Sequence, residues 1–383
     1  MWSSIDWSML FAGFTNLTWQ NIVMIVIGLV LFYLSIAKGA EPLLLVPIGF
    51  GVILANIPLS GMAAADEGGI LNLIYHAGIL TQIFPVLIFI GIGAMADFRP
   101  MLGNPFILIF GAAGQFGIFI TLFIALALGF KIPEAASISI IGAMDGPTAI
   151  YFSSRYAREL LPAISVVAYS YMSLVPIVQP PIMRLLTTKK ERAVVMSTSK
   201  TRVSKRVVLL FPLVAGIFGM LIAPMGAPLL GAIMLGNFLK ESGVVERLSN
   251  VAEGALVDIV TLLLGLCVGA AMLGGNFLTT TTILILLLGL LAISLDTVTG
   301  VMLGKLMYWV TRGKVNPLIG AAGVSAFPMA ARVVQREGQK ANPRSFLLWH
   351  AMGANTGGQV ASVMAAAVML AILTGMGIMP LPV

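Results

Sequence analysis

Asp145 stands in the run Gly142-Ala143-Met144-Asp145-Gly146-Pro147-Thr148-Ala149-Ile150, an acid among small and apolar residues. A charge at membrane depth costs at least about 2.5–3.5 kcal/mol, so a carboxylate kept there implies a use for it. The adjacent Gly146-Pro147 cannot continue a regular helix, because proline lacks an N–H and clashes with the preceding turn. Unwound backbone at that depth persists only where it lines a cavity or binds something. A carboxylate beside freed carbonyls makes an oxygen-rich cage for a hard cation such as Na+. The competing reading is a carboxylate bonded to its own backbone at a kink.

A second such segment runs from Asn316 to Arg332 and holds Pro317, Gly320, Gly323, Ser325 and Pro328. Two prolines and two glycines predict another broken helix. If each side of the break is helical, Asn316 shares a face with Gly320, and Ser325 with Arg332. Asn316 and Ser325 offer neutral oxygens to a cation. Arg332 offers a planar fork matched to a carboxylate or carbamate. It serves equally as a positive-inside anchor, since Arg336, Lys340 and Arg344 follow.

Between these segments lies Tyr169-Ser170-Tyr171-Met172-Ser173, then Gln179-Pro180-Pro181. Tyr171 is 26 residues past Asp145, far enough for the next helix to return beside the break. Its phenol is suited to ligating a cation or donating a proton, or to marking a membrane interface. Asn355-Thr356-Gly357-Gly358-Gln359 interrupts the last long span, and Asp296 is either a further ion ligand or a residue near one end of a long tilted helix. His76 and His350 are too few and too far apart for a metal site. The sequence has no dinucleotide fingerprint, Walker run, zinc spacing or serine elbow. Cys267 reads as buried filler.

The elements that position these residues must be membrane helices. Hydrophobic residues make up 59% of the 383 and charged ones 10%, too little polar surface to cover a water-exposed sphere. The net charge of +7 does not indicate nucleic acid. Arg184, Lys189, Lys190, Arg192, Lys200, Arg202, Lys205 and Arg206 fall in one connection at 184–206, the mark of a cytoplasmic loop. No Lys or Arg precedes the first span, so no cleavable leader is expected, and Trp2, Trp7 and Trp19 suit an interfacial stretch.

The expected fold is an all-α polytopic membrane protein with about 10–12 transmembrane segments. Residues 1–40 form an interfacial segment and the first span, 41–183 a first repeat broken around Asp145, 184–206 the basic loop, and 207–383 a second repeat broken at 316–332. Gly91-Ile92-Gly93-Ala94-Met95 resembles Val268-Gly269-Ala270-Ala271-Met272, and Gly142 follows Gly93 by 49 residues where Gly320 follows Gly269 by 51. Pro42-Leu43-Leu44 pairs with Pro228-Leu229-Leu230. Such doubling points to a transporter fold with its site where the broken helices meet. An odd number of crossings per repeat makes the halves inverted.

With these segments in view, and with Ser170-Tyr171-Met172-Ser173-Leu174-Val175-Pro176 beside them, nearly the whole chain resembles the β-subunits of sodium-translocating, biotin-dependent decarboxylases. The family includes the oxaloacetate, methylmalonyl-CoA, glutaconyl-CoA and malonate enzymes. The first ~40 residues match least. The resemblance implies a bacterial cytoplasmic-membrane subunit that decarboxylates carboxybiotin, exports Na+ and consumes a proton. It implies carboxyltransferase, biotin-carrier and small membrane-anchor partners, and a homo-oligomer, a trimer by analogy. Asp145, Tyr171, Asn316, Gly320 and Ser325 then occupy sodium-binding positions. Asp145 also accepts a proton, Tyr171 ligates or relays, and Arg332 faces the carboxybiotin. The rival expectation is a sodium symporter or cation/proton antiporter without chemistry. A passive channel fits paired broken helices less well.

Overall fold

A computed structural model describes residues 7–39, 42–63, 65, 68–196 and 203–379. Residues 1–6 with Trp2, and 197–202 with Lys200 and Arg202, lie outside the described residues, as do 40–41 and 380–383. Among the described residues the regular structure is helical throughout. Seven helices are long and apolar enough to cross a membrane, or eight if the pair Ile70–Leu80 and Ile83–Met95, bent by 62°, is one span. Shorter apolar helices, Pro42–Ala55 and Ile132–Ala143, stand beside them. The remaining apolar stretches are short or broken, because Gly/Pro pairs end their helices partway.

The principal helices are α1 (Trp19–Lys38), α2 (Pro42–Ala55), α3 (Ile83–Met95), α4 (Pro105–Ala127), α5 (Ile132–Ser139), α6 (Gly146–Tyr156) and α7 (Leu161–Leu186). After the basic loop come α8 (Lys205–Ile222), α9 (Ala227–Ser242), α10 (Val257–Ala270), α11 (Thr280–Val310), α12 (Met329–Ala341) and α13 (Leu348–Gly375). Their ends follow local chemistry. Thr18 and Asn21 form a capping box before α1, and Gly39 closes it in the left-handed region at φ 65°. Thr279 caps α11 by accepting from the Thr282 amide.

The helices pack as two groups. In one, α2 lies on α10 and α3 on α9. A Cβ at Gly269 would stand 2.9 Å from the Gly51 Cα, and one at Gly236 would stand 2.8 Å from the Ala94 amide nitrogen. Backbones in lipid approach this closely only where side chains are absent. In both pairs one helix comes from before the basic loop and one from after it. The outward faces of α1 and α8 stay apolar and exposed, as at Val26, Leu29, Leu213 and Phe218, which suits contact with lipid.

The second group holds two hairpins. Lys131, Glu134, Arg155 and Arg158 wall one cavity, so α5 begins where α6 ends. The chain therefore enters and leaves on one side, bending at 140–145. The second hairpin starts at Asn316, whose Nδ2 donates to the Arg192 and Val194 carbonyls at 2.9 Å each. It ends near Asn342, whose Nδ2 donates to the Ala193 carbonyl at 3.0 Å, so both its feet stand at the basic loop. The segments expected as the spans 134–154 and 316–335 are thus re-entrant hairpins. α7 runs from the feet of the first hairpin to the basic loop, and the two hairpins enter from opposite ends.

Candidate cation and carboxylate site

The first hairpin turns through a 3-10 segment, Ile140–Ala143, and then Met144 at φ 54°. A left-handed conformation costs a non-glycine residue roughly 1–2 kcal/mol, so packing must hold the bend in place. Asp145 follows as the N-cap of α6, with Pro147 in the first turn, where a missing N–H costs nothing. The Asp145 carboxylate is buried. Its Oδ1 accepts from the Thr148 amide at 3.3 Å, and its Oδ2 from the Thr148 hydroxyl at 2.7 Å. Ser362 of α13 adds a third donor to Oδ2 at 3.0 Å. Gly146 presses on the Tyr169 ring, where a Cβ would stand 2.6 Å from two ring carbons.

The second hairpin turns through the 3-10 segment Pro317–Gly323 and then a bend and turn at 324–328 before α12. The two tips touch: the Ser325 amide donates to the Ala143 carbonyl at 3.0 Å. Side-chain amides satisfy the carbonyls left free by the missing helix. Gln179 donates to Ala321 at 3.0 Å, Gln115 to Gly323 at 3.1 Å, Asn355 to Val324 at 2.6 Å, and Gln359 to Ser325. The Ser325 hydroxyl donates to the Gly358 carbonyl at 2.9 Å. These bonds replace a helical ladder and hold the tip at depth.

A cavity of about 300 Å³ opens beside the tips, between the two helix groups. Asp145, Tyr169, Ser325, Gln359 and Arg332 line one wall, and Glu253 and Asp258 stand on the other. It extends toward the basic loop, since Arg332 lies on α12, which runs to Glu337 and its partner Arg184. The two Arg184–Glu337 bonds measure 2.7 and 2.8 Å. Arg332 is exposed and makes no ion pair among the described residues. The hydroxyl of Tyr169 and the Oε1 of Gln359 are buried without a hydrogen-bond partner among the described residues. An unpartnered buried acceptor in a polar cavity is a ready ligand.

Asp145, Ser325 and Arg332 are thus brought together. Asn316 and Gly320 are elsewhere on the second hairpin. Asn316 caps its first arm, accepting from the Leu318 amide at 3.0 Å, at the basic-loop foot. Gly320 rests on α11, where a Cβ would stand 2.4 Å from the Gly300 carbonyl carbon. Tyr171 faces α11 and donates to the Leu286 carbonyl at 2.8 Å; Tyr169, two residues earlier, faces the cavity instead. Asp296 is fully buried in mid-α11 beside Gly117 and Gly142, outside this cavity.

Thr148, Ser362 and Gln115 were not singled out by type and spacing. The signal for Thr148 was its place three residues after an acid at a helix start. For Gln115 it was an amide in an apolar span, which needs a partner. Ser362, in an Ala-rich run, carried no signal.

Residues 20–373 match the family described as the Na+-transporting oxaloacetate decarboxylase beta subunit. The chain is 52% identical over 365 residues to the methylmalonyl-CoA decarboxylase subunit beta of Veillonella parvula, covering 95% of this chain and 96% of that one. It is 50% identical over 364 residues to the glutaconyl-CoA decarboxylase subunit beta of Acidaminococcus fermentans, covering 95% and 96%. It is 45% identical over 417 aligned positions to the oxaloacetate decarboxylase beta chain 2 of Salmonella typhi, covering 94% and 96%. This multi-pass membrane protein belongs to the family of beta subunits of Na+-transporting decarboxylases.

Proposed function

We propose that this chain is the membrane subunit of a sodium pump that decarboxylates carboxybiotin, exports Na+ across the bacterial cytoplasmic membrane and consumes a proton. The observation that carries it is the single cavity shared by Asp145, Ser325 and Arg332 at the meeting of two re-entrant tips. The residues suit both ligands. Arg332 is unpaired and exposed, as a fork for a carboxylate must be. Asp145, with the neutral oxygens of Ser325, Tyr169 and Gln359, supplies a hard-cation environment.

Carboxybiotin brings an N-carboxylate whose C–N bond breaks to give CO₂, the nitrogen taking up a proton. This chain's residues supply the coupling. Arg332 orients the carboxylate toward the tips. Asp145 holds the cation, and opposite charges attract more strongly in so dry a place than in water. When the carboxylate is gone and Asp145 takes a proton, the cation loses both anionic partners and leaves. Tyr171, Asn316 and Gly320 support the site through the backbone: Asn316 fixes the second hairpin to the basic loop, Gly320 seats it on α11, and Tyr171 braces α7 against α11.

The three relatives are named for different substrates, two acyl-CoA thioesters and one 2-oxo acid, yet resemble this chain to similar degrees. That supports substrate choice residing in a carboxyltransferase partner, with a biotin carrier docking on the basic, cytoplasmic side. A small membrane-anchor subunit and a trimer of this chain complete the proposed assembly, by analogy. The hairpins entering from opposite ends support reading 41–183 and 207–383 as inverted repeats. In detergent, free carboxybiotin should lose CO₂ faster when Na+ is added, and Asp145→Asn should abolish that stimulation. Stimulation that survives Asp145→Asn would remove Asp145 from the coupling. Solute flux without decarboxylation would favour a sodium symporter.

A further inference from the structure

A second and larger cavity, of about 430 Å³, lies at the end of the molecule opposite the basic loop. Its wall combines Glu159 with the side-chain oxygens of Asn276, Thr279, Thr281 and Thr282, together with Pro162 and Ala163 at the start of α7. The same helix walls the Asp145 cavity with Tyr169 and Met172. From Ala163 to Tyr169 is about 9 Å of helix at 1.5 Å per residue. In that interval sits Ser165, buried, with a hydroxyl that has no hydrogen-bond partner among the described residues. Pro162, Ser165, Tyr169 and Met172 follow a spacing of three, four and three, which puts them on one face of α7. Ser165 and Tyr169 place two unpartnered hydroxyls on one helical face between the two cavities, where a visiting ligand would satisfy them.

We propose that the larger cavity is the outward chamber for the cation. It is reached from Asp145 along this face of α7, past the hydroxyls of Tyr169 and Ser165. Neutral oxygens suit a transit path: each replaces part of the hydration shell, and none holds the ion as a carboxylate would. Glu159 at the chamber gives it a cation-attracting field. The inference rests on the sodium-pump reading for the identity of the ion, and on the two cavities alone for the route.

The test uses the assembled complex in proteoliposomes, in a Cys267→Ala background, with Thr282→Cys in the chamber wall. A membrane-impermeant thiosulfonate carrying positive charge, added on the face opposite the basic loop, should modify Thr282→Cys at least tenfold faster than one carrying negative charge. Glu159→Gln should bring that ratio toward one, and modification should stop ²²Na+ transport. Ser165→Ala should lower the Na+ moved per carboxyl group lost, a ratio that a merely structural defect leaves unchanged. Modification only from the basic-loop face, a ratio near one with Glu159 present, or full modification with undiminished ²²Na+ transport would each overturn the route. If the complex moves ²²Na+ and modification blocks it, but carboxybiotin is not decarboxylated, the chamber stands and the pump reading fails.

Discussion

Ser362, in the last long helix, donates to Oδ2 of Asp145, 217 residues earlier in the chain, at 3.0 Å. This bond ties the carboxylate to α13 as well as to its own helix. Ser362→Ala removes one of two hydroxyl donors and one of the neutral oxygens nearest the acid. A charge-assisted hydrogen bond contributes about 1.5 kcal/mol or more, so the Na+ concentration for half-maximal decarboxylation should rise roughly tenfold. Titrating activity against Na+ checks this; an unchanged half-saturation point would place the ion away from Oδ2.

Gly320 seats the second hairpin on Gly300, where a Cβ would overlap the α11 backbone. Gly320→Ala must push the hairpin off α11. Overpacking of this kind costs about 1–3 kcal/mol, so unfolding in detergent should begin at lower temperature. In the fraction that folds, the Na+ half-saturation point should stay close to that of the parent, since Gly320 does not line the Asp145 cavity. A large shift in Na+ affinity at unchanged thermal stability would contradict that assignment.

Asn316 spends its amide on two carbonyls of the basic loop and its oxygen on the Leu318 amide. Asn316→Asp keeps the cap and loses both donors, while Asn316→Ala loses everything. Limited proteolysis within 192–196 should therefore be faster in both variants than in the parent. Helix-cap repair predicts better thermal stability for the Asp variant than for the Ala variant, by about 1 kcal/mol.

Glu337 gives the second hairpin its acid sensitivity. Burial pushes its carboxyl up, but the bonds and charges of Arg184 and Lys340 prevail and hold it below the ordinary 4.5. A depressed folded-state value means stabilisation that is full above about pH 4.5 and lost as pH falls through the folded value. Arg184 is half exposed, so Arg184→Ala should cost only about 1 kcal/mol at neutral pH. The acid-unfolding midpoint should move upward. A midpoint unmoved by the substitution would show that the pair does not secure the hairpin.

Asp145 was legible because an acid followed by Gly-Pro in an apolar run has few structural uses. Ser325 and Arg332 were legible from the second broken segment, and the structure puts all three in one cavity. Asn316 and Gly320 were grouped with them by the family resemblance. The 3-10 arm carries the chain from the basic-loop foot to the tip, with Asn316 at one end and Ser325 at the other. That Tyr169 rather than Tyr171 faces the cavity depends on the rotation of α7, which a helix with Ser165, Ser170, Ser173 and Gln179 spread around it does not reveal. The two re-entrant hairpins were read as spans because hydropathy alone cannot tell such a hairpin from a crossing.

The glycine contacts that bring α2 onto α10 and α3 onto α9 have a bearing on biogenesis. The helices α2 and α3 find their closest partners only after the second half has been synthesised and inserted. Until then these two stand in the bilayer without those partners, exposed to quality-control proteases. Expressed by itself the amino-terminal half should be degraded. Supplied as two fragments severed in the basic loop, the chain should reassemble, because every interlocking surface is still present.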